Sequence, residues 1–177
     1  MTKLTTIPEA QAFILHWGEM GTNWGVNRSV AQIHALLYLS EKPLNADEIG
    51  ETLAIARSNV STGLKELLAW ELVQITHVLG DRRDFFAAQH DTWEVIRAIM
   101  DGRKKRELDP TLAALRECAA QLERDKETPP AVRARIVGQL EFLETITRWF
   151  DSMKRMPKKT LLKMLRMGER IAKVLGE

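Results

Sequence analysis

A single cysteine, Cys118, stands among 177 residues, so no intrachain disulfide framework is available. No apolar run approaches the ~20 residues of a membrane span, and the N-terminus lacks a basic-then-apolar leader. The plain reading is a cytoplasmic protein. The four histidines are scattered without a helical HxxxH pair and Cys118 has no companion, so no zinc site is expected; Cys118 reads as a small core residue. No nucleophile motif, phosphate loop or pair of catalytic carboxylates is present. The chain does not read as an enzyme, and no cofactor is expected. An excess of charge is missing too. Lys and Arg number 26 against 24 Asp and Glu, a net charge of +2. That is too small to indicate a polyanionic partner, so any such argument depends on where the cations lie. With 45% hydrophobic and 28% charged residues, the composition suits a folded domain, alone or with a helical extension.

Charge placement is most informative between Ala56 and Trp70. Val60, Leu64 and Leu67 repeat at helical spacing and predict a buried stripe. About 100° per residue from that stripe, the opposite face carries Ser58, Thr62, Lys65 and Ala69. Ser61 lies beside it, and Arg57 and Asn59 sit at the amino-terminal end. Short hydroxyl and amide side chains allow close approach to another surface, and cations with few carboxylates suit a polyanion. The pattern predicts a helix that lies in a DNA groove.

The flanks extend this reading. Asn45-Ala46-Asp47-Glu48 opens a helix with an Asn cap and an acidic first turn, and Ile49 and Leu53 face inward. Downstream, Leu72 to Val78 alternates as a strand, Gly80-Asp81 turns, and Arg83 to Ala87 returns as a second strand. Helix, helix and hairpin, with Arg82 and Arg83 near the tip, predict a winged helix-turn-helix. Residues 8–20 and 28–40 predict two earlier helices. Beyond Asp91, Trp93, Ile96, Ile99 and Met100 set a helical period, and Pro110 either kinks that helix or starts another. Residues 131–153 predict a long helix carrying Val132, Ile136, Leu140, Leu143, Ile146, Trp149 and Phe150. A final one carries Leu161, Met164, Leu165, Gly168, Ile171, Ala172 and Leu175. This apolar surface exceeds what one small lobe covers, which predicts a homodimer. The fold class is mainly α with a small β-hairpin wing. Residues 1–27 are expected to pack with the dimerisation arm, 28–90 to form the winged helix and 91–177 the helical dimerisation region.

Collinear motifs carry a family resemblance. Ala56-Arg57-Ser58-Asn59-Val60-Ser61, Leu64-Lys65-Glu66-Leu67, Trp70-Glu71-Leu72-Val73 and Gly80-Asp81-Arg82-Arg83-Asp84-Phe85-Phe86 resemble the GbsR branch of the MarR transcriptional regulators. Trp17-Gly18, Trp24-Gly25, Asp91-Thr92-Trp93-Glu94 and Arg106-Glu107-Leu108-Asp109-Pro110 continue the match over roughly residues 13–115. The resemblance implies a dimeric winged-helix repressor, some relatives of which answer to choline or glycine betaine. It also implies that the helix from Arg57 enters the major groove while the Arg82/Arg83 wing meets the adjacent minor groove. Two departures stand out. Ala56 replaces the usual Ser cap, and Ser58 stands where Gly is frequent.

The expected DNA-binding residues are therefore Arg57, Ser58, Asn59, Ser61, Thr62, Lys65, Arg82 and Arg83, with double-stranded operator DNA as partner. The plainer view of Arg82 and Arg83 is a pair of hairpin-tip charges between Asp81 and Asp84. The basic set Lys154, Arg155, Lys158, Lys159, Lys163, Arg166, Arg170 and Lys173 reads as a solvated helix face. The tryptophans read mainly as core or interface residues. A cation–π cage of Trp17, Trp24 and Trp149 for a quaternary ammonium effector is the sharper reading. A winged-helix scaffold that binds protein instead of DNA is the alternative function; such a wing would expose apolar residues.

Overall fold

The computed structural model describes residues 4–125 and 127–175. The chain divides into two compact units with the boundary after Ile99. In the first, a short 3-10 turn leads into α1 (Pro8–Asn23) and α2 (Arg28–Leu39), followed by β1 (Leu44–Asn45) and α3 (Ala46–Leu53). Then come α4 (Arg57–Ala69), β2 (Val73–Thr76), β3 (Phe85–Ala88) and α5 (Thr92–Arg103), whose start closes the unit. Proline at the head of α1 suits a position whose amide has no helical acceptor. Asn27 caps α2 by accepting from the Ser29 amide at 2.9 Å.

The three strands form one antiparallel sheet in the order β1-β3-β2, with Leu44 opposite Phe86 and Ile75 opposite the same Phe86 on the other side. Two residues are too few to show alternation, so β1 is absent from the sequence reading. The core lies between the sheet and the helices. Ile33, Leu36 and Leu37 of α2 stand at its centre, with Ile49, Val60, Leu64, Leu67 and Phe86 packed around them. At about 25 cal/mol per Å² of apolar surface removed from water, this cluster is the main stabilising element of the unit. Helix α1 packs on α2 and sends Ile14 into that core. In α5 the phase also differs, because Val95 is buried while Ile96 and Met100 are exposed.

The second unit contains a π turn at Lys104–Leu108, α6 (Asp109–Arg124), α7 (Pro130–Lys154) and α8 (Lys158–Leu175). Pro110 stands in the first turn of α6, directly after the π turn, and the backbone at Leu108 and Asp109 stays helical across the join. Lys104 braces that turn through Asp109 at 2.8 Å and Asp151 at 3.6 Å, and Lys154 reaches Asp101 at 2.6 Å. Helices α6 and α7 pack together, tied by Arg116 to Glu144 at 2.9 Å. Cys118 is exposed on α6. It is not the core residue expected, because the buried stripe of that helix runs through Leu112 and Leu122.

The apolar residues of α7 split between two faces: Leu140, Leu143 and Phe150 are at least half-covered, while Phe142, Ile146 and Trp149 are exposed. In α8, Leu161 is buried and Met164 exposed. The side chains of Leu165, Arg170, Ile171, Ala172, Lys173 and Leu175 lie outside the described residues. No helix among the described residues is long and apolar enough to cross a membrane.

Candidate nucleic-acid interface

Helix α3 begins with a complete capping box. Asn45 Oδ1 accepts from the amides of Asp47 and Glu48, both at 3.0 Å, and Glu48 Oε2 accepts from the Asn45 amide at 2.8 Å. Such a cap contributes about 1 kcal/mol. The helix stops at Ala54, whose φ of 53° lies in the left-handed region and turns the chain toward α4. At Ala56 no side chain caps α4; the amides of Asn59 and Val60 return to the Ala56 carbonyl at 2.9 and 3.1 Å.

Val60, Leu64 and Leu67 are buried, the stripe the spacing predicts, and Gly63 is buried with them. A Cβ at Gly63 would lie 2.7 Å from Ile33 Cδ1, so a larger residue there displaces the end of the Ile33 side chain in the core between α4 and α2. Sequence spacing alone did not single Gly63 out. The outward face carries Arg57, Ser58, Asn59, Ser61, Thr62 and Lys65, all exposed. Arg57 is held by Asp47 of α3, Nη1 to Oδ1 at 3.1 Å.

The wing turns at Val78–Asp81. The Asp81 amide donates to the Val78 carbonyl at 3.0 Å, and Gly80 supplies the positive φ of 87°. The Asp81 carboxylate then grips Arg83. It accepts from the Arg83 backbone amide at 3.0 Å, from Nε at 2.9 and 3.1 Å and from Nη2 at 2.5 Å. The side-chain bonds to Arg83, then the backbone one, hold the Asp81 carboxyl down at about 2. The Arg83 pKa is raised by the same bonds, with smaller contributions from the charges of Glu48 and Asp47. The guanidinium lies 5.7 Å above the centre of the Phe85 ring. An acid two residues before its partner is the pattern of a local side-chain-to-backbone turn; the sequence reads Asp81 as a turn residue and a flanking charge, and its pairing with Arg83 is added by the structure. Arg82 is exposed, and His77 faces Asp84 at 3.9 Å. Leu79 at the tip is fully exposed, with Ile75 and Val78 also open to solvent.

The tryptophans take different places. Trp17 stacks on Phe13 at 5.3 Å and lies 6.0 Å from the His34 ring. Trp24 of the first unit and Trp149 of the second are both exposed.

A capped helix, a turn, an outward-facing polar helix and an antiparallel wing define a winged helix-turn-helix. Residues 24–84 match the MarR family. Those residues run from just before α2 through the wing turn, so the match falls on the winged helix-turn-helix itself. It is similar to the HTH-type transcriptional repressor GbsR of Bacillus subtilis (strain 168), 24% identical over 136 residues, 75% of each chain. The YvaV protein of the same organism is 19% identical over 151 residues, 84% of each. Among solved structures, a crystal structure of a transcriptional regulator superposes with a TM-score of 0.62 at 17% identity, covering 83% of this chain and 96% of that one.

Proposed function

We propose that the protein is a sequence-specific, dimeric repressor that acts on operator DNA in the cytoplasm. The observation that carries this reading is the outer face of α4. Arg57, Ser58, Asn59, Ser61, Thr62 and Lys65 are exposed on a helix whose other side is anchored in the core. Small hydrogen-bonding side chains and cations on a rigid helix suit base edges and phosphates of a major groove. Arg82 and Arg83, on the wing, suit the narrow electronegative minor groove beside it. Homodimerisation is supported by Phe142, Ile146 and Trp149, which follow one another at spacings of four and three along α7 and are exposed. Two recognition helices carried by such a dimer would occupy two half-sites about ten base pairs apart, or a multiple of that, and obstruct polymerase. A small effector acts by favouring one arrangement of the dimer over another; a quaternary ammonium compound on the indoles of Trp17, Trp24 or Trp149 is the form we favour. Titration calorimetry with betaine and choline tests it, and no heat at millimolar concentration removes the effector.

Sequencing genomic fragments captured by the purified protein, followed by anisotropy titration of the enriched duplex against random DNA, tests the main reading. Preference for the enriched duplex is expected. The second reading is a protein-binding wing, favoured by the exposure of Ile75, Val78 and Leu79. Equal and negligible affinity for both duplexes would select it.

A further inference from the structure

Asp47 stands in the first turn of α3, where capping makes no use of its carboxylate. Asn45 already serves the amides of Asp47 and Glu48, and Glu48 closes the box on Asn45. The Asp47 carboxylate is engaged instead with Arg57, across the turn that joins the two helices, at 3.1 Å. Both side chains are open to water, 44% and 79% exposed, so the pair adds little to stability. Arg83, gripped by Asp81, also feels the charges of Glu48 and Asp47. Among the described residues, the one cation that Asp47 touches is Arg57, on the exposed face of α4.

A carboxylate presented to a guanidinium offers the same acceptor chemistry as a phosphate oxygen. We infer that Asp47 is an intramolecular competitor for the DNA contact of Arg57: the free protein keeps Arg57 on Asp47, and docking exchanges that carboxylate for a phosphate. The inference rests on the DNA-binding reading above. It has a thermodynamic signature. A cation that meets a phosphate directly from solvent displaces about one counterion. A cation that leaves a carboxylate behind exposes an anion, which gathers a counterion of its own, and the net release falls. Asp47 therefore lowers affinity and flattens its salt dependence on every DNA sequence alike. Non-specific affinity is almost wholly electrostatic, so this one carboxylate limits how much protein bulk DNA retains.

The test compares four full-length proteins: the parent, Asp47→Asn, Arg57→Gln and the double variant. Each is titrated with a random-sequence duplex across a range of salt. Asp47→Asn should bind about five- to tenfold more tightly near ~0.1 M salt, with a slope steeper by about one per subunit. In the Arg57→Gln background the same change should have no effect. A gain that persists without Arg57 reflects only the removal of a negative charge, and overturns the inference. Unchanged or weaker binding by a folded Asp47→Asn protein overturns it as well. Asp47→Ser, another residue that suits a helix start, repeats the comparison if Asn disturbs folding. A parent that binds no duplex defeats the DNA reading itself, a result separable from the others because it needs no variant.

Discussion

The imidazole of His34 lies 6.0 Å from the indole of Trp17, ring centre to ring centre, and among the described residues its Nε2 has no hydrogen-bond partner. Burial makes the charged imidazolium costly and lowers the His34 pKa from 6.5 to about 4. The unfolded chain therefore takes up this proton at higher pH than the folded one. Stability from this group is fully present above the unfolded value of 6.5 and is lost as pH falls toward 4. The loss amounts to roughly 3 kcal/mol. Urea unfolding across that range should follow this trend, and His34→Leu should flatten it. A parent protein whose stability does not change across the window would mean that His34 is solvated.

Gly63 and Gly138 should respond in opposite ways to alanine. Gly63→Ala gains about 1 kcal/mol of helix propensity. It also drives a methyl to 2.7 Å from Ile33, which is fully buried, and overpacking of that kind costs about 1–3 kcal/mol. A net loss and a weaker preference for operator are expected. Gly138→Ala meets nothing within 4 Å and should stabilise by about 0.5–1 kcal/mol. Paired urea midpoints compare the two directly.

The helix and the wing should separate by salt dependence and discrimination. Arg83→Ala should weaken operator and random duplex alike, with a slope shallower by less than about one per subunit, because Arg83 would leave the Asp81 carboxylate behind on docking. Thr62→Ala or Asn59→Ala should cost on the order of 1–3 kcal/mol on operator and little on random DNA. If the helix variants bind operator as tightly as the parent, α4 is not the reading element.

Light scattering at micromolar concentration should give twice the chain mass without DNA. Phe142→Asp or Trp149→Asp, on the uncovered face of α7, should shift that mass toward the single chain while leaving the helical circular dichroism in place. A monomeric parent would remove the dimer from the proposal.

Much of the first unit was legible because local chemistry and packing agree there. Asn45 followed by Asp47 and Glu48 announces a capped helix, and Val60, Leu64 and Leu67 announce the buried side of the next one. The exposed face of that helix followed by subtraction from the stripe. What the sequence hid depends on tertiary proximity. The Arg57–Asp47 pair joins residues ten apart, and the close approach at Gly63 is decided by Ile33, thirty residues upstream. The two-residue strand at Leu44 has no period of its own and exists because Phe86 offers it an edge. The exposed Cys118 and the split of α7 into two apolar faces escaped because periodicity reports that a stripe exists without saying which stripe a neighbour covers.

The missing side-chain cap at Ala56 has a consequence in time. The amides of Asp47 and Glu48 are held by Asn45, whereas those of Arg57 and Ser58 have no side-chain acceptor at Ala56. In hydrogen–deuterium exchange the start of α3 should stay protected while the first turn of α4 exchanges early, well ahead of Val60 and Leu64 behind it. Exchange of that kind would mean that the leading edge of α4 opens and closes many times for each opening of the core it stands on. Its first residues meet a partner as a fluctuating end, and the two turns behind them hold the alignment.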